Sequence, residues 1–555
     1  MITGFLKKHH RILFYSCWLL INLIQAANTE LYDDEAYYWV YTQFPAWGYF
    51  DHPPMIAWLI QTGYTLFNDE LGVRILIVLM NTGTLLLVER LLNKKHPILF
   101  YAICASMAIV QIGGIIAVPD LPLMFFAALF FNCYQLFLKN KSIANSILLG
   151  TVVALMLYSK YHGLLIVLFT LLSNLSLFRS GKVYLAGAFA LLLFLPHLYW
   201  QYQHDFPSVQ FHLFERNAAS YKLSYTLDYL GGQLLLAGPV IGWLLLWASF
   251  KLKPENNTER ALKFTMAGFY IFFLVSTLKG RVEANWTVPA MIGVIVLSHQ
   301  FLIGRRIAKW VYYSVPITLV LVLCVRIYMM LDLPKNSLIK KDEFHYNKEV
   351  GQYFLEQASG KPVVFINSYQ QSSKLWFYSR QPSFSLNTPL YRRNNFNYWP
   401  IEDSLFGKPA LVTGKFDTSI LKYRVKLPGF DSAGMRVIDP FYSFSKVQLK
   451  NIQMLSHSSS VTLRFSINAP QHYLRLFQTS PADTANLQLA VYRKNGVFYY
   501  PSSFAISSVV IPISNAEAVF KTTLPAGAYK ARLAISSAVP GHPSLNSLAF
   551  ELKIE

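Results

Sequence analysis

The sequence predicts an α-helical polytopic membrane protein with about eleven spans and a C-terminal extracytoplasmic region of α/β plus β-sandwich type. Three observations predict it. Of the 555 residues, 54% are hydrophobic and only 14% are charged, where a soluble domain carries about 25% charged residues. The apolar residues form long blocks between positions 11 and 330, and the rest reads as ordinary soluble sequence. Basic residues recur in every second short loop between the apolar blocks, the pattern of cytoplasmic loops.

An α-helix rises about 1.5 Å per residue, so about 20 apolar residues cross a hydrocarbon layer of about 30 Å. Eleven segments qualify as candidates: 11–27, 71–92, 97–117, 119–138, 142–159, 161–178, 182–203, 229–250, 261–279, 286–304 and 307–330. The first, preceded by Lys7, Lys8 and Arg11 and ending in Ala26-Ala27, has the look of a signal peptide but is expected to be an uncleaved span. One set of loops carries Lys94/Lys95, Lys139/Lys141, Arg179/Lys182, Lys251/Lys253/Arg260 and Arg305/Arg306/Lys309, and is expected on the cytoplasmic side with the N-terminus. The other set holds residues 28–70, Pro119-Asp120, Lys160-Tyr161-His162, residues 204–228 and Lys279 to Asn285. An odd span count then puts the chain beyond Leu331 outside, in the periplasm or the extracellular space.

Three regions are expected: a transmembrane catalytic part (1–330), a small α/β part (331–434) and a β-sandwich-like part (435–555). The α/β reading rests on the helical stretch Lys348 to Ala358 and the apolar runs Val363-Val364-Phe365-Ile366 and Ala410-Leu411-Val412. The β reading rests on alternating stretches such as Val461 to Phe465 and Tyr529 to Leu533, separated by turn residues. No internal repeat or low-complexity tract is visible.

The net charge of +20 invites a nucleic-acid reading. That reading is rejected because the cations sit in loops between spans rather than in one patch. Cys17, Cys104, Cys133 and Cys324 all lie in apolar segments, without disulfide or zinc spacing. No metal ligand set is readable among the histidines, so no cofactor is expected and a divalent metal is left open.

The loop after the first span is the richest in chemistry. It runs Glu30-Leu31-Tyr32-Asp33-Asp34-Glu35-Ala36-Tyr37-Tyr38-Trp39, then Trp47-Gly48-Tyr49-Phe50-Asp51-His52-Pro53-Pro54-Met55. Carboxylates next to lipid are costly unless hydrated or paired. A solvated juxtamembrane loop is the plain alternative to a site. Asp120, flanked by Pro119 and Pro122, reads either as a helix cap or as a second acid facing Asp34.

Asp34-Glu35-Ala36-Tyr37-Tyr38 followed by Tyr49-Phe50-Asp51-His52-Pro53-Pro54 resembles the first-loop signature of the integral-membrane GT-C glycosyltransferases, in the bacterial branch related to protein O-mannosyltransferases and the lipid A aminoarabinose transferase. Pro119 to Leu123, Ser159-Lys160-Tyr161, Pro196 to Trp200, Asn285 to Pro289 and Asn397 to Pro400 agree in order, so the resemblance covers about residues 10–430. The Asp51-His52 pair departs from the Glu-Lys pair of the aminoarabinose branch, which leaves the sugar open.

The resemblance implies transfer of a sugar from a polyprenyl phosphate to a lipid, glycan or protein acceptor on the outer face of a bacterial inner membrane, with inversion. Asp34 is then the expected base, and Asp120 its expected catalytic partner. Leaving phosphate needs positive charge. Lys160, His52, Lys279, Arg281 and Arg216 are expected to supply it, against the alternative of salt bridges to Asp51, Glu283 or Glu215 or snorkelling to headgroups. Glu35, Tyr38, Asp51, Glu283 and Trp286 are expected to line the substrate site. For Glu35 a structural hydrogen-bond role stands equally open, and for Trp286 an interfacial anchor. Tyr369 to Tyr378 resembles a segment near the family's active-site lid, with Trp376 and Phe377 expected in the core. A transporter or flippase of lipid-linked sugar is the rival reading. It calls for midplane polar residues and inverted repeats, whereas the spans are nearly free of ionisable residues at their centres and no second copy of the first half is visible.

Overall fold

The computed structural model describes residues 2–215, 221–333, 342–415, 423–427, 430–457, 460–471, 473, 485–506 and 513–554. The chain divides into two compact units, Met1–Ile339 and Lys340–Glu555.

The first unit is helical. Its elements are α1 (Ile2–Ala27), α2 (Asp33–Tyr41), α3 (Met55–Tyr64), α4 (Glu70–Leu91), α5 (Pro97–Ser106), α6 (Ala108–Gln111), α7 (Asp120–Lys139), α8 (Ile143–Ser159) and α9 (Gly163–Ser173). They continue with α10 (Gly181–Gln203), α11 (Pro207–Gln210), α12 (Leu223–Ala237), α13 (Gly242–Lys251), α14 (Asn257–Ser276), α15 (Ala290–Leu302) and α16 (Lys309–Leu331).

Every one of the eleven expected segments falls on helix, but the helices are unequal. By length and composition four can cross a membrane alone: α4, α7, α10 and Arg306–Leu331. Two more candidates are bent pairs, α5 with Ala108–Ile115 at 86° and α12 with α13 at 90°. The segments 142–159, 161–178 and 286–304 correspond to shorter apolar helices. Helix length therefore does not by itself yield eleven crossings. The first bend falls at Met107, whose extended backbone separates α5 from α6, and the second at Gly238, whose φ of +147° excludes a side chain without strain.

Helices approach closely where small residues meet. A Cβ on Gly150 of α8 would lie 2.5 Å from the Ala186 carbonyl of α10, so only glycine permits this spacing. Polar anchors mark both ends of α4. Glu89 receives Arg11 Nε at 3.0 Å and the Tyr15 hydroxyl at 2.9 Å, tying α1 to one end. Arg74 makes the ion pair at the other end, 15 residues away or about 22 Å along the axis. Between them Trp18 Nε1 donates to Asn81 Oδ1 at 2.8 Å. α1 is thus a packed member of the bundle.

The second unit begins with α17 (Asn347–Ala358), β1 (Val363–Ile366), α18 (Tyr369–Ser379), β2 (Phe384–Leu386), β3 (Ala410–Lys415), β4 (Tyr423–Leu427) and β5 (Phe430–Ile438). The strands form one sheet in the order β2-β1-β3-β5-β4, parallel for β2-β1-β3 and antiparallel beyond. Val350 and Phe354 of α17 and Leu375 of α18 pack on Val363, Phe365, Leu411 and Met435. Trp376 and Phe377 are buried. β5 runs across the expected boundary at 434/435, because its hydrogen bonds to β3 belong to the α/β sheet.

The remaining strands are β6 (Gln448–His457), β7 (Ser460–Asn468), β8 (Asn486–Arg493), β9 (Gly496–Ala505), β10 (Ile513–Lys521), β11 (Gly527–Ile535), β12 (Ser544–Leu545) and β13 (Phe550–Ile554). They are ordered β12-β11-β8-β9-β10-β7-β6, with β13 on β11. Among the described residues β9 and β10 join through one residue pair, Phe520 with Ser502. The two halves share one core, in which Leu463, Phe465 and Phe520 meet Leu489, Leu533 and Leu552. Alternating burial along β7 matches the period of two in its sequence. Where the α/β sheet adjoins this β region, buried Glu402 accepts from the Ser443 hydroxyl, from the Ser445 hydroxyl at 2.5 Å and from the Tyr473 hydroxyl.

Candidate active site

The acids of the first loop open α2, whose first turn is Asp33, Asp34 and Glu35. A carboxylate is favoured there by the exposed backbone N–H groups and the helix dipole. Glu35 is completely buried. Its Oε1 accepts from Arg74 Nε at 2.7 Å and from the Ala117 backbone N–H at 2.7 Å. Its Oε2 accepts from Arg74 Nη2 at 2.5 Å and from the Tyr32 backbone N–H at 2.9 Å. Both oxygens are thus engaged by the fold, the structural hydrogen-bond role that the sequence left open beside substrate binding.

Arg74 was not anticipated. It is 1% exposed, and its remaining donors reach the carbonyls of Ala26 (3.1 Å), Thr29 (2.5 Å) and Glu30 (3.0 Å). One guanidinium thus gathers the end of α1, the start of the loop and α2. The available signal was a lone arginine inside an apolar helix, costly without a dedicated partner.

Asp120 is the first residue of α7. Lys160 follows directly after α8, and its Nζ donates to Asp120 Oδ1 at 2.7 Å with both side chains buried. Asn285 Nδ2 donates to Asp120 Oδ2 at 3.1 Å. Three segments far apart in sequence therefore converge on one carboxylate. Lys160 thus pairs with Asp120 rather than with Asp51, Glu283 or Glu215. The Glu35–Ala117 bond ties α2 to the segment that ends in Asp120, so both acids belong to one neighbourhood.

Asp51 is buried and accepts from the Tyr37 hydroxyl at 2.8 Å. His212 Nε2 lies 3.0 Å from the Asp51 carbonyl oxygen. The His52 ring stands edge-on to Tyr38 at 5.6 Å and lies 6.4 Å from His212. Tyr38, Asp51 and His52 thus share one aromatic and imidazole wall. The loop carrying Asp51 and His52 is latched to α10. His197 Nδ1 meets the Trp47 carbonyl at 2.7 Å, and its Nε2 meets the Tyr161 hydroxyl at 3.0 Å. Gln201 Nε2 donates to the Tyr161 hydroxyl (3.0 Å) and to Ser208 Oγ (2.8 Å), and Ser208 donates to the Tyr49 carbonyl at 3.1 Å.

The loop after α14 is split. Trp286 packs on His162 and Phe273, with ring centroids 5.8 and 5.6 Å away. Lys279 and Arg281 are exposed. Arg281 faces Glu283 at 3.5 Å, with side chains 67% and 46% exposed. Such a pair is weak. From this loop the bond to Asp120 comes from Asn285, a donor rather than a cation. Arg216 lies outside the described residues, as does the side chain of Glu215.

A family model of dolichyl-phosphate-mannose-protein mannosyltransferases matches residues 51–200. The lipid A galacturonosyltransferase RgtD of Rhizobium johnstonii is 24% identical over 425 residues, spanning 73% of this chain and 88% of the relative. The lipopolysaccharide core galacturonosyltransferase RgtB of the same organism is 25% identical over 307 residues, 49% of this chain and 60% of the relative. Among solved structures, ArnT from Cupriavidus metallidurans bound to undecaprenyl phosphate superposes with a TM-score of 0.57 at 13% identity, covering 78% of this chain and 98% of ArnT. Fold and sequence together define a membrane glycosyltransferase of the GT-C type. Within that class the chain is related to ArnT and to the protein mannosyltransferases.

Proposed function

We propose that the protein transfers a sugar from a polyprenyl-phosphate donor to a glycolipid acceptor at the outer face of a bacterial inner membrane. The observation that carries this reading is the convergence of the first-loop acids with the buried Asp120–Lys160 pair through the Glu35–Ala117 bond. Asp34 takes the proton from the acceptor hydroxyl as that oxygen attacks the anomeric carbon. The bond from that carbon to the phosphate oxygen breaks, and the anomeric configuration inverts. The departing polyprenyl phosphate carries the charge away, steadied by cations and donors around it. Lys160 retains donors beyond its bond to Asp120, and His52 lies on the same side. Lys279 and Arg281, exposed on the loop that supplies Asn285, attract the anionic headgroup on arrival. Tyr38, Asp51 and Trp286 form the sugar-facing wall.

The names of the galacturonosyltransferase relatives make a galacturonosyl donor and a lipid A or lipopolysaccharide-core acceptor the first pair to try. The topology that suits the reaction has the N-terminus cytoplasmic, eleven crossings, and both C-terminal parts (331–434 and 435–555) on the periplasmic side.

The test uses purified protein in detergent, given a panel of polyprenyl-phosphate sugars with lipid A as acceptor, and follows release of free polyprenyl phosphate. Release with one donor, abolished by Asp34→Asn in a protein that still elutes as a single folded species, supports the assignment. Full turnover by Asp34→Asn would remove Asp34 as the base. Silence with every donor and acceptor would return weight to a transport role.

A further inference from the structure

The second unit holds an open cleft with no part in the proposed reaction. It is shallow and is lined in part by Arg393, Asn397, Tyr398, Lys446, Gln448 and Asn546. Its walls come from two parts of the unit: the segment following β2, and the start of β6 with the strand end near β12. The fold builds it rigidly. Asn397 Oδ1 accepts from Asn387 Nδ2 at 2.7 Å and from the Asn394 N–H at 3.1 Å. Asn546 Nδ2 donates to the carbonyls of Phe444 and Val447 at 2.6 and 2.9 Å.

Two donor groups are left over among the described residues. Asn397 is 92% buried, and its Nδ2 has no acceptor, although a buried amide N–H without a partner is costly. The half-buried Arg393 guanidinium makes no hydrogen bond or ion pair among the described residues. Lys446 is neutralised by Asp403, 2.7 Å from both carboxylate oxygens, so the cleft retains the one positive charge of Arg393. Tyr398 and Leu545 add apolar surface beside these donors. A planar guanidinium next to amide donors suits an oxyanion, which it grips through two parallel bonds.

We propose that this cleft binds a phosphate or carboxylate group carried on a saccharide. The β region then has a recognition role, holding an anionic glycan through Arg393, Asn397 and Gln448.

Hydrogen exchange read by mass spectrometry on the full-length protein in detergent tests this without relying on turnover. The probes are glucose 1-phosphate, inorganic phosphate and neutral methyl glucoside, compared at matched ionic strength. Glucose 1-phosphate is expected to slow exchange in peptides covering 393–398 and 445–448, and methyl glucoside to leave them unchanged. Arg393→Gln should abolish this protection, and Arg393→Lys should restore part of it. Exchange in untreated Arg393→Gln should match wild type, since the guanidinium supports no contact of the fold. Protection by inorganic phosphate equal to that by glucose 1-phosphate would overturn the saccharide element. Protection that persists in Arg393→Gln, equal protection by methyl glucoside, or none with any probe would overturn the site. Loss of sugar transfer by Asp34→Asn would leave these exchange results unchanged.

Discussion

Lys160 and Asp120 stand 2.7 Å apart, both buried, at neighbouring ends of α8 and α7. Each is placed by the start or stop of a helix, so the geometry of the pair is set by the bundle rather than by a loop. Asn285 completes the arrangement from a third segment.

Replacing either member alone strands the other. Asp120→Asn and Lys160→Met should each lower transfer at least about a hundredfold, the scale of losing one preorganised charge at a reacting centre. The exchanged pair, Asp120→Lys with Lys160→Asp, should recover expression but not turnover. A swap that restored full turnover would make the pair purely structural. Release of polyprenyl phosphate per folded protein is the measurement.

Arg74→Met leaves the Glu35 carboxylate buried and uncompensated. The expected destabilisation is about 3–5 kcal/mol, and Arg74→Lys should recover little because an ammonium cannot reproduce the fork. The double variant Arg74→Met/Glu35→Leu should regain much of the stability while transfer stays low, because Asp34 loses its anchor. Thermal unfolding in detergent and turnover read the two effects separately.

Gly48 sits under α10. A Cβ there would lie 2.4 Å from Trp200 Cε3 and 2.9 Å from His197 Nδ1, the atom that holds the Trp47 carbonyl. Gly48→Ala should therefore displace the loop that carries Asp51 and His52. The expected result is a raised KM for the lipid donor, and Gly48→Ala combined with Trp200→Leu should relieve it. An unchanged KM in the single variant would mean the loop gives way elsewhere.

Burial raises the pKa of Glu402 above its ordinary value of 4.5, although the Ser443, Ser445 and Tyr473 hydroxyls and Lys446 oppose the shift. A folded-state pKa above the unfolded one contributes stability that is complete below the unfolded value and fades as pH rises through the folded value. Local stability around Ser443 to Val447 should fall as pH rises from about 4.5 toward neutral. Glu402→Gln should flatten that fall, as read by hydrogen exchange across the same range.

Topology has its own test. A reporter fused after Glu555 should be active only on the outer face of the membrane. Cytoplasmic activity would overturn the odd span count.

The sequence by itself determined that the chain is a membrane protein, because hydropathy and loop charge are sums over local residues that need no partner. It also determined where the acids of the first loop lie and that a mixed α/β and β region follows. Periods of two along stretches such as Val461 to Phe465 are local signals too. Only the tertiary structure decided what each charge does. Glu35 and Asp34 are adjacent and look alike in sequence, yet Glu35 is locked to Arg74, 39 positions away. Lys160 meets Asp120 across 40 positions and Asp120 meets Asn285 across 165. Lys279 and Arg281, equally eligible on composition, stay exposed. A buried ion is tolerated only where its partner arrives in the right geometry, and that arrival depends on how helices distant in sequence pack together.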